Sequence, residues 1–286
     1  RQRNPEGNDC QHAAGRAHSA HRMEPFYDTH AHLTFPDFAG DIPGLIERTQ
    51  ATGITRIISI GTDLESSQRA VALAGAHSSV YAVVGWHPND LAEAPEDVLS
   101  GLRELCGHPK VVAIGETGMD FFRLPKEEAA VAKLKTRQEF FFRQQLELAI
   151  EQNLNVVIHQ RAALEPTLEI FEEYADRVRG QFHCFVDDAA SMERIIALGS
   201  LVSFTGIVTF KNAQEVRDTV AATPLDKLMV ETDSPFLSPM PYRGKRCEPA
   251  YTRYTAKKVA EVKGVSLAEL SGATCTTAHE FFPKLG

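Results

Sequence analysis

Eight short apolar runs, each followed by a loop and a helical stretch, predict that this chain folds as one parallel (β/α)8 barrel, the TIM barrel. The runs read as continuous Val, Ile and Leu, which is typical of strands buried on both faces of a parallel sheet. A barrel of this kind takes roughly 250 residues, and the chain has 286. Because no run approaches the roughly 20 apolar residues that span a bilayer, we expect no membrane segment.

The predicted strands begin near Phe26, Ile54, Val80, Val111, Leu154, Gly180, Ser200 and Lys227. After the second run, Asp63 and Glu65 stand where carboxylates favour the start of a helix. Two further helices, near Tyr251–Lys263 and Leu267–Phe282, are expected to close the bottom or side of the barrel. A doubly wound open sheet is the alternative, but it usually has a glycine-rich loop after its first strand, where this chain has His-Ala-His.

Residues 1–22 differ from the rest of the chain. They are rich in Arg, His, Gly, Ala and Asn, and they lack both the apolar stretch of a secretory signal and any hydrophobic periodicity. We expect a disordered extension, either added for expression or due to a start codon placed too early, before one domain over residues 23–286. An amphipathic targeting segment is the alternative.

Composition and charge narrow the class of protein. With 43% hydrophobic and 24% charged residues the chain is globular in composition. A net charge of −8 argues against a protein that coats nucleic acid, although bound cations could still make a pocket positive. The five cysteines are scattered and contain no C-x-x-C pair, so we expect a reducing cytoplasm.

Six side chains of the metal-ligand type stand at or near the ends of predicted strands: His30, His32, Glu116, His159, His183 and Asp233. Because the carboxyl ends of all barrel strands lie at one rim, we expect these side chains to meet there. Histidine and carboxylate side chains are ligands for zinc, manganese and other divalent ions. The sequence therefore predicts a metal centre at this rim.

Taken one at a time, these side chains also suit ordinary structural roles. His30 and His32 project to one face of a strand, where they can share an ion or simply hydrogen-bond to each other. Glu116 could cap a helix or pair with a cation, lone buried histidines are common in cores, and Asp233 could initiate a turn. Together they favour metal binding, because unpaired charge inside a barrel is costly. Six ligands exceed the need of one tetrahedral ion, so we predict two divalent ions bridged by one carboxylate.

The chain resembles the TatD family of metal-dependent deoxyribonucleases, a branch of the amidohydrolase-like barrels. The resemblance runs from Phe26 to Phe282 and is carried by the segments YDTHAHL, GTDLESS, VGWHPND, VAIGETGMDFF, QLELAIEQNLNVVIHQR, FHCF, VETDSPFLSP and YRGKRCEPAY. It implies hydrolysis of phosphodiester bonds in DNA, usually from an end, 3′–5′, and on single strands. We expect the two divalent ions to be Mg, Mn or Zn, and no obligate protein partner is evident in the sequence.

The resemblance distributes the metal ligands as follows: His30, His32 and Asp233 on one ion, His159 and His183 on the other, and Glu116 between the ions. We expect Asp233 to accept the proton of the attacking water and Glu116 to act as the bridging carboxylate. His87 matches a family histidine near the substrate phosphate, and Arg161 matches the basic residue of an H-x-R segment.

Further residues of the rim loops are candidates for substrate contacts. Arg243 and Lys245 could position the phosphate, or they could belong to a solvated loop. Phe121, Phe122 and Tyr242 could stack on bases, or the two phenylalanines could cover the barrel mouth.

The chain departs from the family pattern at three places. Val186, Asp187 and Asp188 replace the x-Gly that commonly follows H-C-F, so Asp187 is expected to add negative charge near the site. Cys247 stands where the family commonly has Asn, and Ala162 replaces an acidic residue after H-x-R. None of these changes removes a predicted ligand.

Two other functions compete with DNA hydrolysis. Related barrels hydrolyse small esters, amides and phosphotriesters, but many of them use a lysine as the bridge on strand four, where this chain has Glu116. A barrel that only binds or scaffolds would be expected to have lost ligands, and none is missing.

Overall fold

The computed structural model describes residues 23–286, which form a nearly closed eight-stranded barrel in one domain. The strands are β1 (Phe26–Ala31), β2 (Ile54–Ile60), β3 (Val80–Val84), β4 (Val111–Asp120), β5 (Asn155–Arg161), β6 (Gly180–Phe182), β7 (Leu201–Phe204) and β8 (Leu228–Val230). Neighbouring strands from β1 to β8 pair in parallel and follow the chain order. The predicted (β/α)8 barrel is therefore confirmed, and each strand begins within one residue of its predicted start. The expectation of a disordered extension falls on residues 1–22, outside the described residues.

Helices surround the barrel: α1 (Ile42–Ala51), α2 (Leu64–Ala76), α3 (Leu99–Leu105), α4 (Glu128–Glu151), α5 (Leu164–Glu172), α6 (Ala189–Ala197), α7 (Gln214–Ala222), α8 (Thr252–Lys263) and α9 (Leu267–Phe281). Asp63 caps α2, as its position predicted, by accepting a hydrogen bond from the Ser66 amide at N3. Gly264 ends α8 with a φ of 67°, a left-handed conformation that glycine adopts without strain. Across residues 23–286, no helix combines the length and the apolar character needed to cross a membrane.

The amino end of the barrel is closed by the end of the chain. Inward-facing side chains such as Ile58, Val83 and Met229 form one buried cluster with Phe281 and Phe282. Each large apolar side chain that leaves water in this way contributes roughly 1.5–3 kcal/mol to stability. The helix predicted near Leu267–Phe282 therefore covers the bottom of the barrel and leaves the carboxyl end open.

Strand β4 is longer than the sequence suggested and does not end at Glu116. It continues to Asp120, and its register with β5 shifts between Ile114 and Thr117. At this irregularity Gly115 has a φ of 141°, and a Cβ there would lie 2.5 Å from the Val157 carbonyl oxygen. Only glycine fits such a close approach. Glu116 therefore projects from an irregular point inside a strand.

The seam between β8 and β1 has few ladder hydrogen bonds. One isolated bridge joins Ala31 to Ser234. The His32 amide donates to the Ser234 carbonyl at 2.7 Å, and the Asp233 amide donates to the His30 carbonyl at 2.9 Å. These bonds hold the first and last strands of the barrel together, and they involve three of the predicted ligands, His30, His32 and Asp233.

A buried carboxylate completes this seam. Asp28 is inaccessible to solvent and accepts hydrogen bonds from the Thr232 amide at 2.9 Å, the Thr232 hydroxyl at 2.6 Å and the His30 amide at 3.3 Å. These hydrogen bonds link β1 to the segment after β8, in place of the ladder hydrogen bonds that link the other neighbouring strands.

Asp28→Ala is expected to destabilise the protein, because it leaves two buried amides without an acceptor. Each such loss costs about 1–3 kcal/mol, so we expect a fall in the thermal unfolding midpoint of about 10 °C for a chain of this size. Asp28→Asn is the matched control, because its amide oxygen can still accept from the Thr232 amide, and it should lose less. An Asp28→Ala protein that melts with the wild type would contradict this account of the seam.

Candidate metal centre

The six predicted ligand side chains lie together at the carboxyl end of the barrel, with the carboxylate of Glu116 among the other five. Its Oε1 lies 2.8 Å from His159 Nδ1 and 2.8 Å from His183 Nε2. Its Oε2 lies 3.3 Å from His30 Nε2 and 3.5 Å from His32 Nε2. The two oxygens of one carboxylate thus face two different groups of imidazoles.

The first group consists of His30, His32 and Asp233. The Nε2 atoms of the two histidines are 3.3 Å apart, and Asp233 Oδ1 lies 3.3 Å from His32 Nε2 and 3.7 Å from His30 Nε2. Asp233 follows β8 by three residues and has a φ of 58°. A non-glycine residue in this left-handed region is uncommon and often marks a functional site.

The second group consists of His159 and His183, with His87 beside them. His159 Nδ1 lies 3.3 Å from His183 Nε2, and His87 Nε2 lies 3.4 Å from Glu116 Oε1. The sequence assigned His87 to the substrate phosphate, but the structure places it against the carboxylate of Glu116. His87 could therefore contact either a cation or a phosphate.

The electrostatics of the cluster suit cations. Burial by itself would raise the pKa of Glu116, but His183, His87 and His30 hold this pKa well below its usual value. Burial opposes the protonation of His183, yet the carboxylates of Glu116 and Glu231 raise its pKa well above the usual value. The Glu116 carboxylate therefore keeps its negative charge and favours a positive partner.

The donor set also fits metal ions. Within residues 23–286, Glu116 Oε2 is buried and has no hydrogen-bond partner, although unsatisfied buried carboxylate oxygens are costly. The possible ligand atoms of His30, His32 and Asp233 lie within 4.8 Å of one another, and so do those of His87, Glu116 and His159, so each set is close enough to share one ion. Nitrogen and carboxylate donors in this arrangement are typical ligands of zinc and similar divalent ions.

Asp120, which the sequence analysis missed, orients one of these imidazoles. Its Oδ2 lies 3.1 Å from His159 Nε2 and accepts from the Asn89 amide group at 2.9 Å. When Nε2–H donates to Asp120, the lone pair of His159 Nδ1 is available to a cation, as in carboxylate–histidine–metal arrangements. The spacing could have revealed it, since residues four apart on a strand share a face.

Glu231, which the sequence analysis also missed, lies beside His183 and supports this imidazole. It is inaccessible to solvent, and its Oε1 lies 3.6 Å from His183 Nδ1 and accepts from the Cys184 amide at 2.7 Å. Its Oε2 accepts from the Gln181 side chain at 3.1 Å. The available signal was an acidic residue directly after the apolar strand Leu-Met-Val, where burial needs a reason.

The predicted cationic substrate residues lie at the mouth of the barrel, where Arg161 ends β5 and Arg243 and Lys245 belong to the loop after β8. The Arg161 guanidinium lies 3.7 Å from the centre of the Phe122 ring, and that of Arg243 lies 4.4 Å from the centre of the Phe210 ring. Among the described residues, neither these two arginines nor Lys245 forms an ion pair with a carboxylate. Their charges are therefore not neutralised by the metal centre.

The aromatic candidates differ in accessibility. Phe121 is half-buried against the core, whereas Phe122 is 55% exposed. Tyr242 already stacks on Tyr251, with ring centroids 4.4 Å apart. Only Phe122 of the three combines an exposed ring with a neighbouring cation.

The departures from the family pattern leave the six side chains in place. Asp187 accepts a hydrogen bond from the Gln160 side chain and contacts none of the predicted ligands, and burial raises its pKa. Asp188 caps α6 through the Ser191 amide at 2.9 Å. The negative charge expected near the phosphate thus lies mainly in a neighbouring acidic cavity, which Asp187 lines together with Asp218.

An eight-stranded parallel barrel with clustered histidines and carboxylates at its carboxyl rim is the arrangement of metal-dependent hydrolases. The family model of the TatD related DNase matches residues 27–283. The chain belongs to the TatD family, and it is a metal-dependent hydrolase of that family.

Individual relatives agree with this assignment. The chain is 39% identical over 259 residues to the uncharacterized metal-dependent hydrolase YabD of Bacillus subtilis, across 90% of this chain and 98% of that protein. It is 31% identical over 265 residues to the 3′-5′ ssDNA/RNA exonuclease TatD of Escherichia fergusonii, across 90% and 98% of the two chains. The crystal structure of the TatD homolog YjjV from Escherichia coli K12 superposes with a TM-score of 0.83 at 28% identity, covering 90% of this chain and 98% of that one.

Proposed function

We propose that this protein is a divalent-metal-dependent exonuclease that shortens single-stranded DNA in the 3′–5′ direction. The proposal rests mainly on the two groups of predicted ligands that contact the two carboxylate oxygens of Glu116. The arginines at the mouth of the barrel, which form no ion pair among the described residues, also support it. A relative that bears the name 3′-5′ ssDNA/RNA exonuclease supports the choice of substrate.

Two cations are the natural occupancy of such a site. His30, His32 and Asp233 would hold one ion, His159 and His183 would hold the other, and Glu116 would contact both. Divalent cations in a two-metal site acidify water and neutralise the negative charge that develops on phosphate oxygens.

Proton acceptance and positioning of the phosphate would fall to different side chains of the protein. The Asp233 side chain is 14% exposed, whereas that of Glu116 is 3% exposed, so Asp233 is the carboxylate that a water at the mouth can reach. We assign to Asp233 the acceptance of the proton from the attacking water. Arg161, Arg243 and Lys245 would orient the phosphate through charge-assisted hydrogen bonds.

The cellular setting follows from the cysteines. The five cysteines are scattered and include no C-x-x-C pair, a pattern that suits a reducing compartment. We infer a cytoplasmic enzyme that acts without an obligate protein partner.

The deciding experiment compares substrates and metals. The protein is stripped with EDTA, reloaded with Mg²⁺, Mn²⁺ or Zn²⁺, and assayed on single-stranded DNA labelled at either end. We expect the stripped protein to be inactive and the reloaded protein to shorten the DNA from its 3′ end. RNA of the same sequence and a panel of small esters and amides run in parallel. Turnover of an ester or amide by a protein that leaves DNA and RNA intact would overturn the proposal in favour of a small-molecule hydrolase.

A further inference from the structure

Exposed apolar side chains concentrate around the mouth of the barrel. Of the six large hydrophobic side chains exposed among residues 23–286, four lie in loops that follow β4, β6 and β8: Phe122, Val186, Phe236 and Met240. Apolar surface next to a reactive centre is typical of a surface that binds a ligand.

Phe236 lies beside the metal centre. Its ring is 48% exposed, and its centroid lies 6.2 Å from that of His32 and 5.6 Å from that of Phe35 at an interplanar angle of 85°. Phe35 in turn stacks on His32, with centroids 4.8 Å apart. An exposed aromatic ring thus stands directly beside an imidazole of the metal centre.

The backbone around this ring is firmly held. The Phe236 amide donates to the Asp233 carbonyl at 2.9 Å, and the Cys247 amide donates to the Pro235 carbonyl at 2.9 Å. The carbonyl of Ser234, two residues before Phe236, accepts from the His32 amide at 2.7 Å. A surface ordered in advance loses little conformational entropy when a ligand binds.

We infer that Phe236, backed by Phe35, is a stacking site for an unpaired base of a nucleic acid whose phosphate lies at the metal centre. This inference rests on the proposed function and deepens it. A nucleotide joins a flat π surface to an anion, and the mouth offers an exposed ring together with the cations Arg161, Arg243 and Lys245.

A stacking site at Phe236 would also favour single-stranded over double-stranded substrates. Bases inside a duplex have both faces covered by their neighbours, whereas an unpaired terminal base can leave its strand and stack on a protein ring. Phe236 would therefore favour single-stranded ends whatever their sequence, because every base has a π face.

The kinetic test is a double-mutant cycle in which the Phe236 side chain and the terminal bases of the substrate are removed separately and together. Phe236→Ala should lower kcat/KM on a single-stranded oligonucleotide by about 10-fold, within the range that one base–aromatic stack supplies. Phe236→Trp should retain activity. Phe140→Ala is the matched control, because this phenylalanine is equally exposed, at 52%, but lies on the outer helix α4. An oligonucleotide with abasic terminal nucleotides should lose a similar factor with the wild type, and the two losses should not add.

A binding test needs no turnover. Oligonucleotides that carry 2-aminopurine at the terminal or the penultimate position, and phosphorothioate linkages that resist hydrolysis, are mixed with metal-loaded protein, where stacking quenches the fluorescence. Quenching at one position by the wild type and by Phe140→Ala, but not by Phe236→Ala, is expected. Equal quenching by the wild type and Phe236→Ala, or fully additive kinetic losses, would overturn the stacking site. A wild type that quenches the probe but cleaves no oligonucleotide would refute the nuclease proposal alone.

Discussion

Glu116→Ala is expected to lower kcat on single-stranded DNA by about 1,000-fold or more, because this carboxylate contacts both ligand groups. Its loss leaves the imidazoles of the two groups without their shared anion. We therefore expect the bound metal, measured by elemental analysis after gel filtration, to fall by about one ion or more per chain.

The controls for this variant distinguish the effect of the negative charge of Glu116 from that of its size. Glu116→Gln keeps the size and one oxygen donor but removes the negative charge, so it should retain more metal than Glu116→Ala while losing most of the activity. Glu128→Ala, at an exposed position in the first turn of α4, should behave as the wild type. Full turnover by a metal-replete Glu116→Ala protein would refute the bridging role.

Asp233→Asn is expected to reduce kcat by about 10²–10⁴-fold, the usual contribution of a positioned general base. The amide oxygen can still serve as a weak ligand, whereas the amide cannot accept a proton from water. The variant should therefore lose turnover more steeply than it loses metal, which distinguishes it from Glu116→Ala.

A pH profile tests the role of Asp233 more directly. Without its proton acceptor the Asp233→Asn enzyme depends on hydroxide from solution, so its remaining kcat should rise more steeply towards alkaline pH than that of the wild type. Asp226→Asn, at an exposed position in the turn before β8, is the matched control and should keep the wild-type profile. Parallel profiles for Asp233→Asn and the wild type would exclude Asp233 as the base.

The local pattern of the chain was sufficient to predict the barrel and the rim of its metal centre. Continuous apolar runs predicted the start of each strand within one residue, since strands buried on both faces have no polar alternation. The spacing of His30 and His32 predicted a shared face, and their Nε2 atoms lie 3.3 Å apart. The ligand roles of the six side chains remain predictions that the metal analysis above tests.

Contacts between distant segments decided the rest. The length of β4, the contact of His87 with Glu116 and the supporting roles of Asp120 and Glu231 depend on strand register and close approach across the barrel. Phe236 likewise became a candidate for base stacking only through its position beside His32. The period of a strand shows which face a side chain occupies, because this depends on the local backbone alone. Which side chains meet across the barrel depends on how eight strands are staggered around it, and only the folded chain sets that stagger.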